Sequence, residues 1–119
     1  MAEKNRFPGL VSLKNRVEID RLFKNGWRIS GDSFLLLWER SDTFRFGVFV
    51  KKELGSAVMR NRIKRLFREA VRLHRSELNK PLTVGVVPKT RTKKWDFESI
   101  DAEIGKMFNL INRRDTRAK

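Results

Sequence analysis

The period of the hydrophobic pattern shifts along this chain, and each shift marks an element. Ser12 stands where it can cap a first helix that runs to about Lys24, with Gly26 as its stop. Its apolar members, Leu13, Val17, Ile19, Leu22 and Phe23, cover a broad arc. From Trp27 to Val50 the period becomes two. Phe34, Leu36 and Trp38 share one face of a strand, and Leu35 and Leu37 share the other. After the polar turn Glu39-Arg40-Ser41-Asp42-Thr43, Phe44, Phe46, Val48 and Val50 alternate with Arg45, Gly47, Phe49 and Lys51. This predicts an antiparallel hairpin, preceded by a short strand near Trp27. Ser56 caps a helix continuing to about Arg75, and Leu82, Val84 and Val86 then alternate with Thr83, Gly85 and Val87 in a strand ended by Pro88. Asp96 caps a last helix, with Trp95 and Ile100 placed as a hydrophobic staple and Phe97, Ile100, Ile104, Met107 and Ile111 at core spacing. The order α-β-β-β-α-β-α predicts an α+β fold: a two-layer sandwich with helices packed on a mostly antiparallel sheet. Residues 1–11 read as an irregular arm punctuated by Pro8-Gly9.

Composition narrows the classes. With 119 residues, 39% of them hydrophobic, the chain suits a single domain, read here as residues 1–119. No apolar run approaches the ~18 residues of a membrane span, and Met1-Ala2-Glu3-Lys4-Asn5-Arg6 leads into no signal-like stretch. The absence of cysteine removes disulfides, thiolate metal sites and cysteine nucleophiles, and fits a cytoplasmic protein. The single histidine, His74, falls within an apolar arc and reads as packing. The acids form no metal-site pattern: Asp101 and Glu103 are two apart on a helix and diverge. Against these exclusions stands a formal charge of +14, from 28 Lys/Arg against 14 Asp/Glu. Such a surface attracts polyanions, nucleic acid first.

The charge is concentrated. Residues 51–75 hold nine Lys/Arg and two acids, half the net charge of the chain. At 100° per residue, Met59, Ile63, Leu66, Phe67, Ala70, Leu73 and His74 fall within an arc of about 120°. Arg60, Asn61, Lys64, Arg65, Arg68, Arg72 and Arg75 lie opposite, with Val71 the one apolar residue among them. A solvated helix face mixes signs, whereas here like charges repeat at i, i+4. Arginine dominates, and its guanidinium fork grips phosphate oxygens in pairs. The expectation is a basic rail about 28 Å long that meets a polyanion.

The stretch Lys51-Lys52-Glu53-Leu54-Gly55-Ser56-Ala57-Val58-Met59-Arg60-Asn61-Arg62-Ile63-Lys64-Arg65-Leu66-Phe67-Arg68-Glu69 resembles the signature of the bacterial ribonuclease P protein component. The pattern Lys-x-x-Gly-x-Ala-Val-x-Arg-Asn-Arg-x-Lys-Arg is matched at every named position. Phe23-Lys24-Asn25-Gly26 and the element order are also similar to that family. The resemblance implies the protein subunit of a ribonucleoprotein that removes the 5′ leader from precursor tRNA. Its RNA subunit would perform the Mg²⁺-dependent hydrolysis, and the protein would carry no catalytic residue. It implies that Lys52, Arg60, Asn61, Arg62, Lys64, Arg65, Arg68 and Arg72 bind that RNA. It further implies a sheet-face cleft for the leader, assigned here to Ile19, Leu35, Leu37, Phe49, Lys51 and Val86, and a left-handed β-α-β crossover around the signature helix. The partners are the RNA subunit and precursor tRNA, with no membrane and no small-molecule substrate.

The pattern itself supports a cleft. If Phe34, Leu36, Trp38, Phe46 and Val48 pack beneath the two later helices, the opposite face presents Leu35, Leu37, Phe49 and Lys51. The first helix, through Ile19 and Phe23, covers part of it. A half-covered apolar strip with basic flanks suits splayed nucleotides; the competing reading makes these residues core of a second face. The family commonly has aromatics at the positions of Ile19 and Leu37, so Phe49 is the stacking candidate in this chain. Trp27, Trp38 and Trp95 read as core or staple residues. A structural or ribosomal RNA-binding protein is the alternative class; it shares charge and size but has no reason to carry Arg60-Asn61-Arg62.

Overall fold

A computed structural model describes residues 11–92 and 94–117. Lys93, and all of the expected arm except Val11, lie outside them. Ser12, expected as a helix cap, is instead in strand β1 (Val11–Ser12), parallel to β4 (Arg45–Val48). The reason is Leu13, which is buried and whose N–H donates to the Phe46 carbonyl at 2.9 Å, keeping the chain extended. Helix α1 (Arg16–Asn25) therefore begins later, with the Asn15 side chain accepting the Glu18 N–H at 3.1 Å. It ends at Gly26 as expected.

Strands β2 (Trp27–Ser30) and β3 (Phe34–Arg40) pair antiparallel, but β3 and β4 are not a hairpin. The sheet order is β1-β4-β5-β3-β2, with β5 (Leu82–Pro88) inserted between them. It runs antiparallel to β3 and parallel to β4, so the sheet is mixed rather than mostly antiparallel. Alternation fixes which face a residue occupies and is silent about its neighbour. The central place goes to the strand that is apolar on both faces: Leu82, Val84 and Val86 on one, and Gly85 and Val87 on the other. Between the parallel neighbours β4 and β5 the chain crosses through helix α2 (Ala57–His74).

Helix α2 and the last helix, α3 (Phe97–Arg117), pack against each other and cover one face of the sheet. The main core lies beneath them, and Phe67 at its centre meets Phe34 and Trp95 edge-on at 4.8 and 5.9 Å. Asp96 caps α3 by accepting the Ser99 N–H at 2.8 Å, and Trp95 and Ile100 are both buried, as the staple requires. On the opposite face α1 seals a smaller core of Leu13, Leu22 and Leu37. The result is an α+β layered fold of five strands and three α-helices among the described residues.

His74 does more than pack. Its Nδ1 meets Glu77 Oε2 and its Nε2 meets Asp101 Oδ1, both at 2.8 Å, so the ring ties the C-terminal end of α2 to α3. Burial disfavours its charge, but the hydrogen bonds and charges of Glu77 and then Asp101 outweigh this and raise its pKa above 6.5. Gly105 gives it room, since a Cβ there would lie 3.0 Å from the ring. Asn112 adds a second tie by donating to the Glu77 carbonyl at 2.7 Å and accepting the Asn79 N–H at 3.0 Å.

Candidate nucleic-acid interface

The rail starts at a turn that only glycine forms readily. Gly55 has φ 137°, and its neighbour Ser56 caps α2 by accepting the Met59 N–H at 3.2 Å. Arg60 braces the same turn, its Nε donating to the Gly55 carbonyl at 3.1 Å. That side chain is thus partly committed to the fold. At the other end Glu69 holds Arg72, whose Nε donates to Glu69 Oε1 at 3.2 Å, with a second contact from Nη2 to Oε2. Between these ends Asn61, Arg62, Arg65 and Arg68 are exposed and Lys64 is half-buried. The rail is therefore graded, with its most available cations at 62, 65 and 68.

The helix is rotated from its expected orientation. Val71, placed among the basic residues by its spacing, is fully buried beside Ile63, Phe67 and Ala70. Met59 and Leu73, expected in the core, are 39% and 48% exposed, and Val58 stands exposed beside Arg62. The wheel weighted all apolar residues equally, whereas the sheet and α3 select the side where the bulky Phe67 and Ile63 fit.

The second surface lies across the sheet. A cleft of about 340 Å³ is lined by Ser30, Leu35, Lys51, Val87, Pro88, Lys89, Thr90 and Arg91. Of the expected cleft residues, the structure brings Leu35 and Lys51 into this lining. Ile19, Leu37 and Phe49 belong to the adjoining core under α1, where Leu37 is fully buried and the other two are half-buried. Phe49 lies against the paired glycines Gly47 and Gly85, where a Cβ would come within 3.0 and 3.2 Å of its ring. It meets Phe23 edge-on at 5.2 Å and packs against the same small core as Val87, which lines the cleft. Val86 is misplaced. The register Leu35↔Val87 and Leu36↔Val86 turns Val86 into the main core at 0% exposure and puts Val87 in the cleft.

The basic run Lys89-Thr90-Arg91-Thr92 that follows β5 is absent from the residues expected at the cleft. The missing signal was the β3–β5 register, which sets Lys89 and Arg91 beside Leu35. Lys89 Nζ is anchored to Ser30 Oγ at 2.8 Å and to the Gly31 carbonyl, while Arg91 is exposed. Lys51 and Lys52 join the two surfaces: Lys51 lines the cleft, and Lys52 opens the 3-10 turn Lys52–Leu54 leading through Gly55 into the rail. Among the described residues, no three His, Asp or Glu side chains gather to hold a metal ion. None of their helices is long and apolar enough to cross a membrane.

An arginine rail and a basic-rimmed cleft on a small α+β scaffold define the class of nucleic-acid-binding proteins. The Ribonuclease P family model matches residues 7–112. The chain is 31% identical to the ribonuclease P protein component of Desulforapulum autotrophicum, over 92% of this chain and 95% of the relative. It is 34% identical to that of Finegoldia magna, over 79% and 84%. Among solved structures, the Staphylococcus aureus RNase P protein superposes with a TM-score of 0.74 at 26% identity, covering 84% of this chain and 94% of that one. The Thermotoga maritima RNase P protein gives 0.71 at 28% identity, covering 86% and 96%. The chain belongs to the ribonuclease P protein component family, and so to the tRNA-processing ribonucleoprotein of that name.

Proposed function

We propose that this chain is the protein subunit of a bacterial ribonuclease P holoenzyme, acting in the cytoplasm. It docks on the RNA subunit through the rail and holds the 5′ leader of precursor tRNA in the cleft. The observation that carries this reading is the junction at Lys51 and Lys52, where the two basic surfaces meet across one short turn. An RNA bound along α2 and a single strand entering the cleft would converge there, which aligns substrate with the ribonucleoprotein core.

In this division of labour the rail residues Arg62, Arg65 and Arg68 replace counterions on the RNA backbone, assisted by Lys52, Arg60, Asn61, Lys64 and Arg72. Leu35 and Val87 offer apolar surface to leader bases, while Lys51 and Arg91 meet its phosphates. Phe49 and Ile19 support the wall of the cleft. In this reading Mg²⁺, which supplies the activated water for hydrolysis, is assigned to the RNA. The protein contributes binding and orientation alone.

Reconstitution tests this. Protein freed of RNA is expected to leave precursor tRNA intact. With a bacterial ribonuclease P RNA and Mg²⁺, it is expected to stimulate removal of the leader. Cleavage by the RNA-free protein would overturn the division of labour. Tight RNA binding with no effect on processing would favour a structural RNA-binding role.

A further inference from the structure

Trp27, expected in the core, is 49% exposed on the edge strand β2. It is not a stray side chain. Its ring stacks on the buried, register-paired Trp38 at 5.6 Å and 14°, which fixes the plane of the outer face. Over the ring stands the guanidinium of Arg114, 6.0 Å from the centroid. One turn before Arg114 on α3, Leu110 is 43% exposed, and Lys106 and Arg113 are exposed on the same helix. Ile29, Met107 and Leu110 continue the apolar ledge as a groove of about 190 Å³ between β2 and α3. The acids at its far end, Asp32 and Glu103, are bound to each other through the Asp32 N–H and Glu103 Oε2 at 2.7 Å. The Trp27 end is cationic.

We propose that this ledge is a second RNA-docking site, where an unpaired base of the RNA subunit takes the place of the Arg114 guanidinium on the Trp27 ring and Arg114 turns to a neighbouring phosphate. Lys106 and Arg113 take the flanking phosphates. A pre-set aromatic plane with guanidinium cover and neighbouring cations is the chemistry of an unpaired nucleotide. The position selects its source. Trp27 pairs with Trp38 on the helix-covered face, the face that carries α2, whereas the cleft lies on the opposite face. Packed helices stand about 10 Å apart, so a folded RNA resting on the rail also spans α3. This inference rests on the reading of the rail as the dock for the RNA subunit.

The test is binding of the full chain to ribonuclease P RNA, without substrate, across a salt series. Trp27→Leu, which keeps apolar cover on Trp38, should weaken binding about five- to hundredfold and leave the salt slope unchanged. Trp27→Phe should restore most of the loss. Arg114→Ala, exposed and free of any core role, should reduce the slope by about 0.7–0.9. Wild-type affinity for both Trp27→Leu and Arg114→Ala overturns the site, as does equal weakness of the Leu and Phe variants. Should Trp27→Leu melt, Trp27→Phe against Arg114→Ala carries the test. Arg65→Ala in the same assay separates the two readings. If it weakens binding while Trp27→Leu does not, the ledge alone fails; if neither does, the rail reading fails. A defect confined to precursor tRNA affinity of the assembled holoenzyme would assign the base to substrate and overturn the source.

Discussion

His74 shows how one residue can change role between sequence and structure. Its helical position placed it correctly on the inner side of α2. The partners that matter, Glu77 and Asp101, come from a turn and from another helix, and spacing alone could not supply the second. Because its folded pKa is raised above 6.5, the charged ring's stabilisation is fully present below the unfolded value. It is lost as pH rises through the folded value. His74→Gln should therefore cost about 2 kcal/mol and several degrees of Tm in mildly acidic buffer. The gap between variant and wild type should narrow in alkaline buffer. Thermal melts across that pH range check this, and a pH-independent gap would mean that ring packing, not charge, supplies the contribution. Val86 illustrates the opposite failure. Its strand was legible, but one step of register decides between core and cleft, and register is set by a partner strand 34 to 40.

At the scale of elements, the three long helical periods, the Ser56 and Asp96 caps and the Gly26 stop were legible because they depend on local chemistry. The start of α1 was not, since Leu13 answers to Phe46 across the sheet. The azimuth of α2 was not either, because the packing surface chose Val71 over Leu73. The same helix yields a graded expectation for RNA binding. Arg62→Ala, Arg65→Ala and Arg68→Ala should each lower the salt slope of RNA binding by about 0.7–0.9 with little change in Tm. Arg60→Ala should lower both the slope and Tm, since its Nε also holds the Gly55 turn. Arg72→Ala should have the smallest effect on binding, because Glu69 already engages it. A salt series with melting curves for the five variants resolves these three behaviours, and equal effects throughout would show that charge count alone matters.

Across the whole molecule, the sheet separates the rail from the cleft by putting them on opposite faces, and the Lys51–Lys52 corner rejoins them. The α+β layering was legible from alternation and helical spacing. The central insertion of β5 was not, yet it builds the cleft by setting Val87, Lys89 and Arg91 next to Leu35. If that cleft holds the leader, Arg91→Ala should weaken the apparent affinity of reconstituted holoenzyme for precursor tRNA with a long leader. A leader of about one nucleotide should be spared, because a phosphate that is absent has no contact to lose. Arg65→Ala should penalise both substrates alike, since docking on the RNA subunit does not depend on leader length. Phe49→Leu keeps apolar cover over Gly47 and Gly85 and removes only the aromatic face. As a residue of the core behind the cleft, Phe49 should show a smaller length dependence than Arg91. Apparent affinities for the two leader lengths in the three variants decide the matter. Arg91→Ala acting equally on both lengths would remove the leader from this cleft, and a larger length dependence for Phe49→Leu would move the stacked base to the α1 side.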